Sequence, residues 1–291
     1  SVAAFLDAVP GTPAQREALR MRLQGTCAAD LASVPLRTLV GEDAFEGGGR
    51  VYRRAARGNG RLAEAMAAVL PDVRLGHVVR AVEQRADAVR VRADGPAGPV
   101  EVGARAAVIA VPAPLVLELS FEPALPPDQA VAVAELPMGA AAKLAVPIAA
   151  DGLEPRALQD TELPSWCWIA LGAGGRARPV LTAFAGSALA QDALGTASGD
   201  PAAWVARLRG MNPDLTFEGP PVLKAWGGDP FARGCYAAFD DRSWDRMELL
   251  GRPHRRVAFA GEHTAGPEHH GTMEGAIRSG HRAAAEVAAR S

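Results

Sequence analysis

The spacing of apolar positions changes twice along this chain. Ser1 to Asp7 reads as a short helix, and from Thr12 to Gly25 Ala, Leu and Met recur at helical spacing behind Pro13. After a loop-rich stretch from Gly47 to Gly60, Arg61 to Leu70 predicts another helix. The period then drops to two. Val73 to Leu75, His77 to Glu83, Ala88 to Arg92 and Val100 to Val102 alternate as strands do, with Asp94-Gly95 marking a turn. Ala106 to Val111 is wholly apolar and is stopped by Pro112 and Pro114, which suits a parallel strand buried on both faces. Further strands are predicted at Met138–Val146, Trp166–Ala170, Val180–Phe184 and Val222–Trp226, with a helix at Pro201–Arg209. Thr272 to Ala289 is the closing helix, expected to bury a stripe of Met273, Ala276, Ile277, Gly280, Ala284 and Val287. The fold class is therefore mixed, α+β / α/β.

Composition narrows this only a little. With 291 residues, a net charge of −2 and 48% hydrophobic content, the chain has enough length for one large or two smaller domains. It shows no apolar run of membrane-spanning length and no signal-peptide pattern. Basic and acidic residues are interspersed, so a nucleic-acid surface is not indicated. Cys27, Cys167 and Cys235 lack metal-type or redox spacing, and their odd number argues against a disulfide framework. A reducing, cytoplasmic setting fits that usage.

Chemistry concentrates at the end. The apolar strand within Arg256–Ala260 runs into Gly261-Glu262-His263-Thr264, and after a polar loop Gly271-Thr272-Met273-Glu274-Gly275-Ala276 opens the last helix. Free N–H groups at a helix N-terminus beside a strand end favour an anionic or electron-rich ligand. Gly271, Gly275 and Ala276 would let a ligand approach the backbone. Residue by residue the segment resembles the last FAD-binding motif of the flavin-containing amine oxidases, which include monoamine, polyamine and L-amino-acid oxidases. That resemblance covers nearly the whole chain. It implies the later part of a two-domain FAD-dependent oxidase fold: residues 1–60 a helical segment of the substrate domain, 61–113 part of the FAD-binding domain, 114–226 the substrate-binding domain, and 227–291 the C-terminal part of the FAD-binding domain.

Such enzymes also need a βαβ unit with G-x-G-x-x-G to cradle the cofactor pyrophosphate. Gly58-Asn59-Gly60-Arg61-Leu62-Ala63 precedes a helix, but it follows Arg53–Arg57 rather than a buried strand. Gly172-Ala173-Gly174-Gly175-Arg176-Ala177 sits between two strand-like runs and reads as a hairpin turn. The missing unit is therefore expected on a second polypeptide, a separately encoded subunit or the other product of a cleaved precursor. The partners implied are that polypeptide, an amine or amino-acid substrate and O2.

Several side chains carry candidate roles. Lys143 is the only charged residue between Glu135 and Asp151, on a segment that alternates like a half-buried strand, where a lysine is costly unless paired or hydrated. Met138-Gly139 with Lys143 four residues on resembles the family segment whose lysine positions a water at flavin N5; a snorkelling lysine is the alternative. In Trp226-Gly227-Gly228-Asp229-Pro230-Phe231 and on to Gly234-Cys235-Tyr236, two branches mix. Cys235 stands at the position of covalent flavin attachment in monoamine oxidases, while its neighbours resemble the non-covalent polyamine-oxidase branch, so attachment through Cys235 is possible but not favoured. A small buried thiol is the plain alternative. Tyr236 matches one tyrosine of the monoamine-oxidase aromatic pair, and Thr272 stands in place of the other. The resemblance further implies cofactor contacts from Val79, Trp226, Gly261, Glu262, Gly271, Thr272, Met273 and Ala276, with Glu262 meeting ribityl or ribose hydroxyls and Val79 adenine. His263, His269 and His270 with Glu262, Glu268 and Glu274 invite a metal reading, but their spacing has no familiar ligand geometry, and none is expected.

The activity implied is hydride transfer from the amine-bearing carbon to flavin N5, giving an imine, then a carbonyl product and H2O2. Flavin-dependent C–C desaturation and a non-catalytic, partner-binding subunit are the alternatives.

Overall fold

In the computed structural model, residues 1–39, 55 and 58–289 are described. Most of the glycine-rich stretch 47–57, Arg53 and Arg54 included, lies outside them. Two helices open the chain, α1 (Val2–Ala8) and α2 (Pro13–Cys27). Thr12 and Gln15 close a reciprocal cap at the start of α2, and Pro13 fills the first helical position, where no N–H is needed. Helix α3 (Gly60–Ala68) also forms, but it buries none of its residues, and the following Val69 is 82% exposed.

The alternating segment becomes β1 (Val78–Gln84), β2 (Val89–Gly95) and β3 (Gly98–Ala104), an antiparallel meander. Val73–Leu75 is not a strand, and the turn falls at Pro96-Ala97, between the paired Gly95 and Gly98, rather than at Asp94-Gly95. The apolar run gives β4 (Ala107–Ile109), followed by α4 (Ala113–Val116), β5 (Ser120–Glu122) and α5 (Pro127–Ala134). β5 pairs in parallel with β1, completing the order β3-β2-β1-β5. Val116, Val133 and Leu136 share the core of Val82, Val257 and Phe259. Residues 115–136 therefore pack with this first sheet, and the chain enters the second core only at Ala142.

That second core lies under an antiparallel sheet of β6 (Ala141–Pro147), β7 (Ala157–Gln159), β8 (Ser165–Leu171), β9 (Ala177–Gly186) and β10 (Val222–Ala225), in the order β10-β6-β9-β8-β7. The glycines 172, 174 and 175 form the β8–β9 connection, as the hairpin reading expected. Ala142, Leu144, Cys167, Ile169, Leu181 and Ala183 bury one face against α6 (Ala188–Ala193) and α7 (Ala202–Met211). Alternation dictates that Lys143, Phe184 and Trp166 point to the other face. Helix α2 docks there. A β-carbon on Gly186 would collide with the Gly25 carbonyl, so the two backbones meet without side chains between them.

The chain then returns to the first core through α8 (Asp241–Asp245), α9 (Met247–Gly251), β11 (Val257–Phe259) and α10 (Met273–Ala288). β11 pairs in parallel with β4, each strand with a single partner among the described residues. The parallel pairing matches the apolar run, but burial on both faces does not: Val108 is 41% exposed. The closing helix also departs from the expected stripe. Gly275, Ser279 and Ala283 face inward, while Met273 (51% exposed), Ala276 and Ala284 face out. Small residues win the inner face because the backbone there is crowded, a β-carbon on Gly275 colliding with the His269 carbonyl.

Candidate active site

The two sequence motifs near residues 235 and 262 meet through one carboxylate. Glu262 accepts the Ala237 N–H at 2.9 Å on one oxygen and the Gly271 N–H at 2.6 Å on the other. The Cys235–Ala237 segment is thereby fixed against the start of α10. Its other side is laced to the residues before β6: Gly139 N–H donates to Tyr236 O at 2.7 Å, and Cys235 N–H to Gly139 O at 2.9 Å. Gly139 is required by space, since a β-carbon there would lie 2.9 Å from both Cys235 Sγ and Ala28 Cβ.

Tyr236 stands at the centre. Its hydroxyl donates to the Thr26 carbonyl at the end of α2, 2.5 Å away, and its ring lies beside Gly271, which has φ +69°. Burial pushes the phenol well above its ordinary range, with Cys235, Cys27 and Glu262 adding to the rise. Burial likewise pushes the Cys235 thiol up to about 12, and the Glu262 charge adds to it. In this environment burial favours the neutral thiol of Cys235 over its thiolate.

At α10, Thr272 caps the helix by accepting the Gly275 N–H at 2.9 Å, while its own hydroxyl donates to His269 O at 2.6 Å. The Met273 and Glu274 amides precede the first intrahelical bond, so they point beyond the helix end toward outside acceptors. Gly261, φ +130°, gives its N–H to Ser279 Oγ at 2.9 Å, tying the strand end to the inner face of α10.

Lys143 and Trp226 form a neighbouring group on the open face of the five-stranded sheet. Lys143 Nζ stands 6.0 Å from the Trp226 ring centroid, and the Trp226 N–H donates to Ala141 O. Lys143 is exposed on a strand that alternates as expected, its neighbours Ala142 and Leu144 buried on the opposite face. Val79 stays on β1, partly buried against the first core. The histidines have separate surroundings. His263 is buried beside Gly261, and burial, with the Arg282 charge, lowers its pKa to about 4. His270 is edge-on to Phe239 and Trp244. No group of metal-type ligands converges among the described residues.

Gly139, Thr26 and Phe184 were missed by sequence reasoning. Gly139 lay inside the quoted Met138–Lys143 segment and could have been found there; Thr26, contributing a carbonyl from a distant helix, left no local signal.

The family described as flavin containing amine oxidoreductase matches residues 12–288. Polyamine oxidase 4 of Oryza sativa subsp. japonica is 27% identical over 274 residues, covering 91% of this chain and 54% of its own, so the chain spans about half that relative's length. An L-amino-acid oxidase of Mus musculus is 35% identical over 91 residues, covering 28% of this chain and 13% of its own. Among solved structures, cyclohexylamine oxidase from Brevibacterium oxydans IH-35A has a TM-score of 0.69 at 21% identity, covering 99% of this chain and 67% of that one. A putrescine oxidase variant gives 0.74 at 22% identity, covering 100% and 68%. No helix among the described residues is long and apolar enough to cross a membrane.

Proposed function

Because the chain belongs to the flavin-containing amine oxidoreductases, we propose that it forms the substrate face and the C-terminal cofactor contacts of an FAD-dependent amine or amino-acid oxidase. The observation that carries this reading is the Glu262 carboxylate, which joins the two flavin-type motifs into one site. The residues present fit a flavin: outward-pointing amides at the start of α10, glycines at 261 and 271, and an exposed surface at Met273 and Ala276.

When bound, FAD would supply the hydride acceptance at N5 and the return of electrons to O2. Thr272, Met273 and Ala276 would present the positive end of the helix to the electron-rich ring. Glu262 retains lone pairs for ribityl or ribose hydroxyls beyond its two backbone donors. Tyr236, locked to Thr26, would hold the amine-bearing carbon in position, and Trp226 would wall the site. Lys143 would hold a water by its ammonium for imine hydrolysis or reoxidation. Cys235, as a neutral thiol, would pack against the cofactor without attaching to it.

The pyrophosphate would be held by a further G-x-G-x-x-G segment, on a second polypeptide or elsewhere in a longer chain. Support comes from the two-stranded parallel sheet, since such sheets are normally covered on both faces, and from the outward apolar side of α10.

The test is purification of the chain with everything that accompanies it, read by intact mass and visible absorption. A yellow complex containing a glycine-motif segment is expected. Stoichiometric FAD on this chain by itself would remove the partner, and a colourless complex would remove the oxidase. In the yellow protein, Lys143→Met should keep its flavin and slow turnover or reoxidation; unchanged kinetics would take Lys143 out of the mechanism.

A further inference from the structure

The open face of the five-stranded sheet carries cations and aromatic rings in one register. Lys224, Lys143, Phe184 and Trp166 are successive direct partners across β10, β6, β9 and β8. The Trp166 and Phe184 rings lie 4.7 Å apart, centroid to centroid. Lys224 is taken by an ion pair with Asp229. Lys143 has no acidic partner among the described residues, and neither does Arg22 of α2, whose guanidinium lies 4.2 Å over the Trp166 ring.

Beyond Trp166 opens a cleft of about 560 Å³, lined by Trp166, Trp168, Pro155, Leu171, Arg22 and Arg156. That is the size of a small-ligand pocket. Its walls are mainly apolar, and its two cations differ. Arg156 is held bidentately by Asp214 at 2.7 and 3.0 Å. Arg22 makes only the ring contact, and a guanidinium stacked on an aromatic face keeps its in-plane N–H fork free for a planar carboxylate. A polyamine would meet cations along this row, where its own charges need carboxylates.

Given an amine-oxidising site on this face, we propose that the Arg22–Trp166–Trp168 cleft binds the carboxylate end of an apolar or aromatic substrate, selecting amine-bearing acids over polyamines. Arg22 is the anion contact, the tryptophans take the apolar body, and Lys143 adds positive potential two strands away, roughly 10 Å by strand spacing. The same charge that attracts the acid disfavours a polycation.

Titration of the full chain, followed by tryptophan fluorescence, tests this with sodium benzoate, benzylamine and spermidine. Benzoate and benzylamine share a ring and differ in charge. A saturable response to benzoate is expected, with none to benzylamine or spermidine, and Arg22→Gln should weaken benzoate binding by about 10-fold or more. Arg22→Lys should fall between, keeping the charge and losing the fork. A benzoate titration unchanged in Arg22→Gln, or tighter binding of benzylamine than of benzoate, overturns the proposal. Flavin absorption of the co-purified complex, measured beside this titration, keeps the two readings apart: a colourless complex whose chain still binds benzoate through Arg22 sinks the oxidase and leaves the cleft.

Discussion

The hydroxyl of Tyr236 donates a hydrogen bond to the carbonyl of Thr26, 210 positions earlier in the chain, across 2.5 Å. A residue of the flavin-type motif is thus positioned by the end of the opening helix pair. The same helix carries Arg22 one turn before Thr26. Substrate face and aromatic residue are set by one element.

Tyr236→Phe keeps the ring and deletes this bond. It should lower stability by about 1 kcal/mol, the usual net value of such a bond. Denaturant unfolding with an unchanged m-value is the check. A variant as stable as the parent would show that the contact does not anchor α2.

Glu262→Gln should be costlier. The amide can accept from only one of the two backbone donors and turns its NH2 toward the other. A loss of about 2 kcal/mol is expected, together with weaker flavin retention in the complex. Flavin retention equal to that of wild type would argue that the carboxylate serves only to hold the loops.

Acid should act through His263. Its pKa falls from 6.5 to about 4 on folding, first through burial and then through Arg282. Between those values the unfolded chain binds a proton that the folded protein refuses. The stability contribution is complete above about pH 6.5 and is lost as pH falls through about 4, on the order of 3 kcal/mol in all. Unfolding measured from pH 7 to 4 should show this slope, and His263→Leu should flatten it. An unaltered slope in the variant would place the acid sensitivity elsewhere.

Cys235 should not hold flavin covalently. Acid precipitation of the yellow protein should release all the flavin, from wild type and from Cys235→Ser alike, because the thiol is held neutral up to about pH 12. Flavin remaining on the Cys235 peptide would reverse this.

Much of the architecture was legible because it rests on local patterns. Period-two runs gave the meander and most of the five-stranded sheet, and a capped, Pro-started segment gave α2. The short elements β5, α8 and α9 left too few residues for a period to emerge, and β5 is a strand only by virtue of pairing with β1. The stripe on α10 was misread because hydropathy marked Met273 and Ala276 as inner residues, while close backbone packing selected Gly275, Ser279 and Ala283. Within the site, Cys235, Tyr236, Glu262 and Gly271 came from contiguous motifs and do meet. The alternation around Lys143 was legible, since a period of two separates the buried Ala142 and Leu144 from the exposed lysine between them, but what lies over that outer face was not.

Gly25 against Gly186 has a further consequence for how such a protein can diversify. A helix seated backbone to backbone has one point of anchorage that needs no side chain, beside the packing of Met21, Leu23 and Cys27. The exposed position 22 can therefore change what the neighbouring cleft admits while the Gly25–Gly186 seat stays constant. The constraint falls on two residues without side chains, and the freedom on those around them.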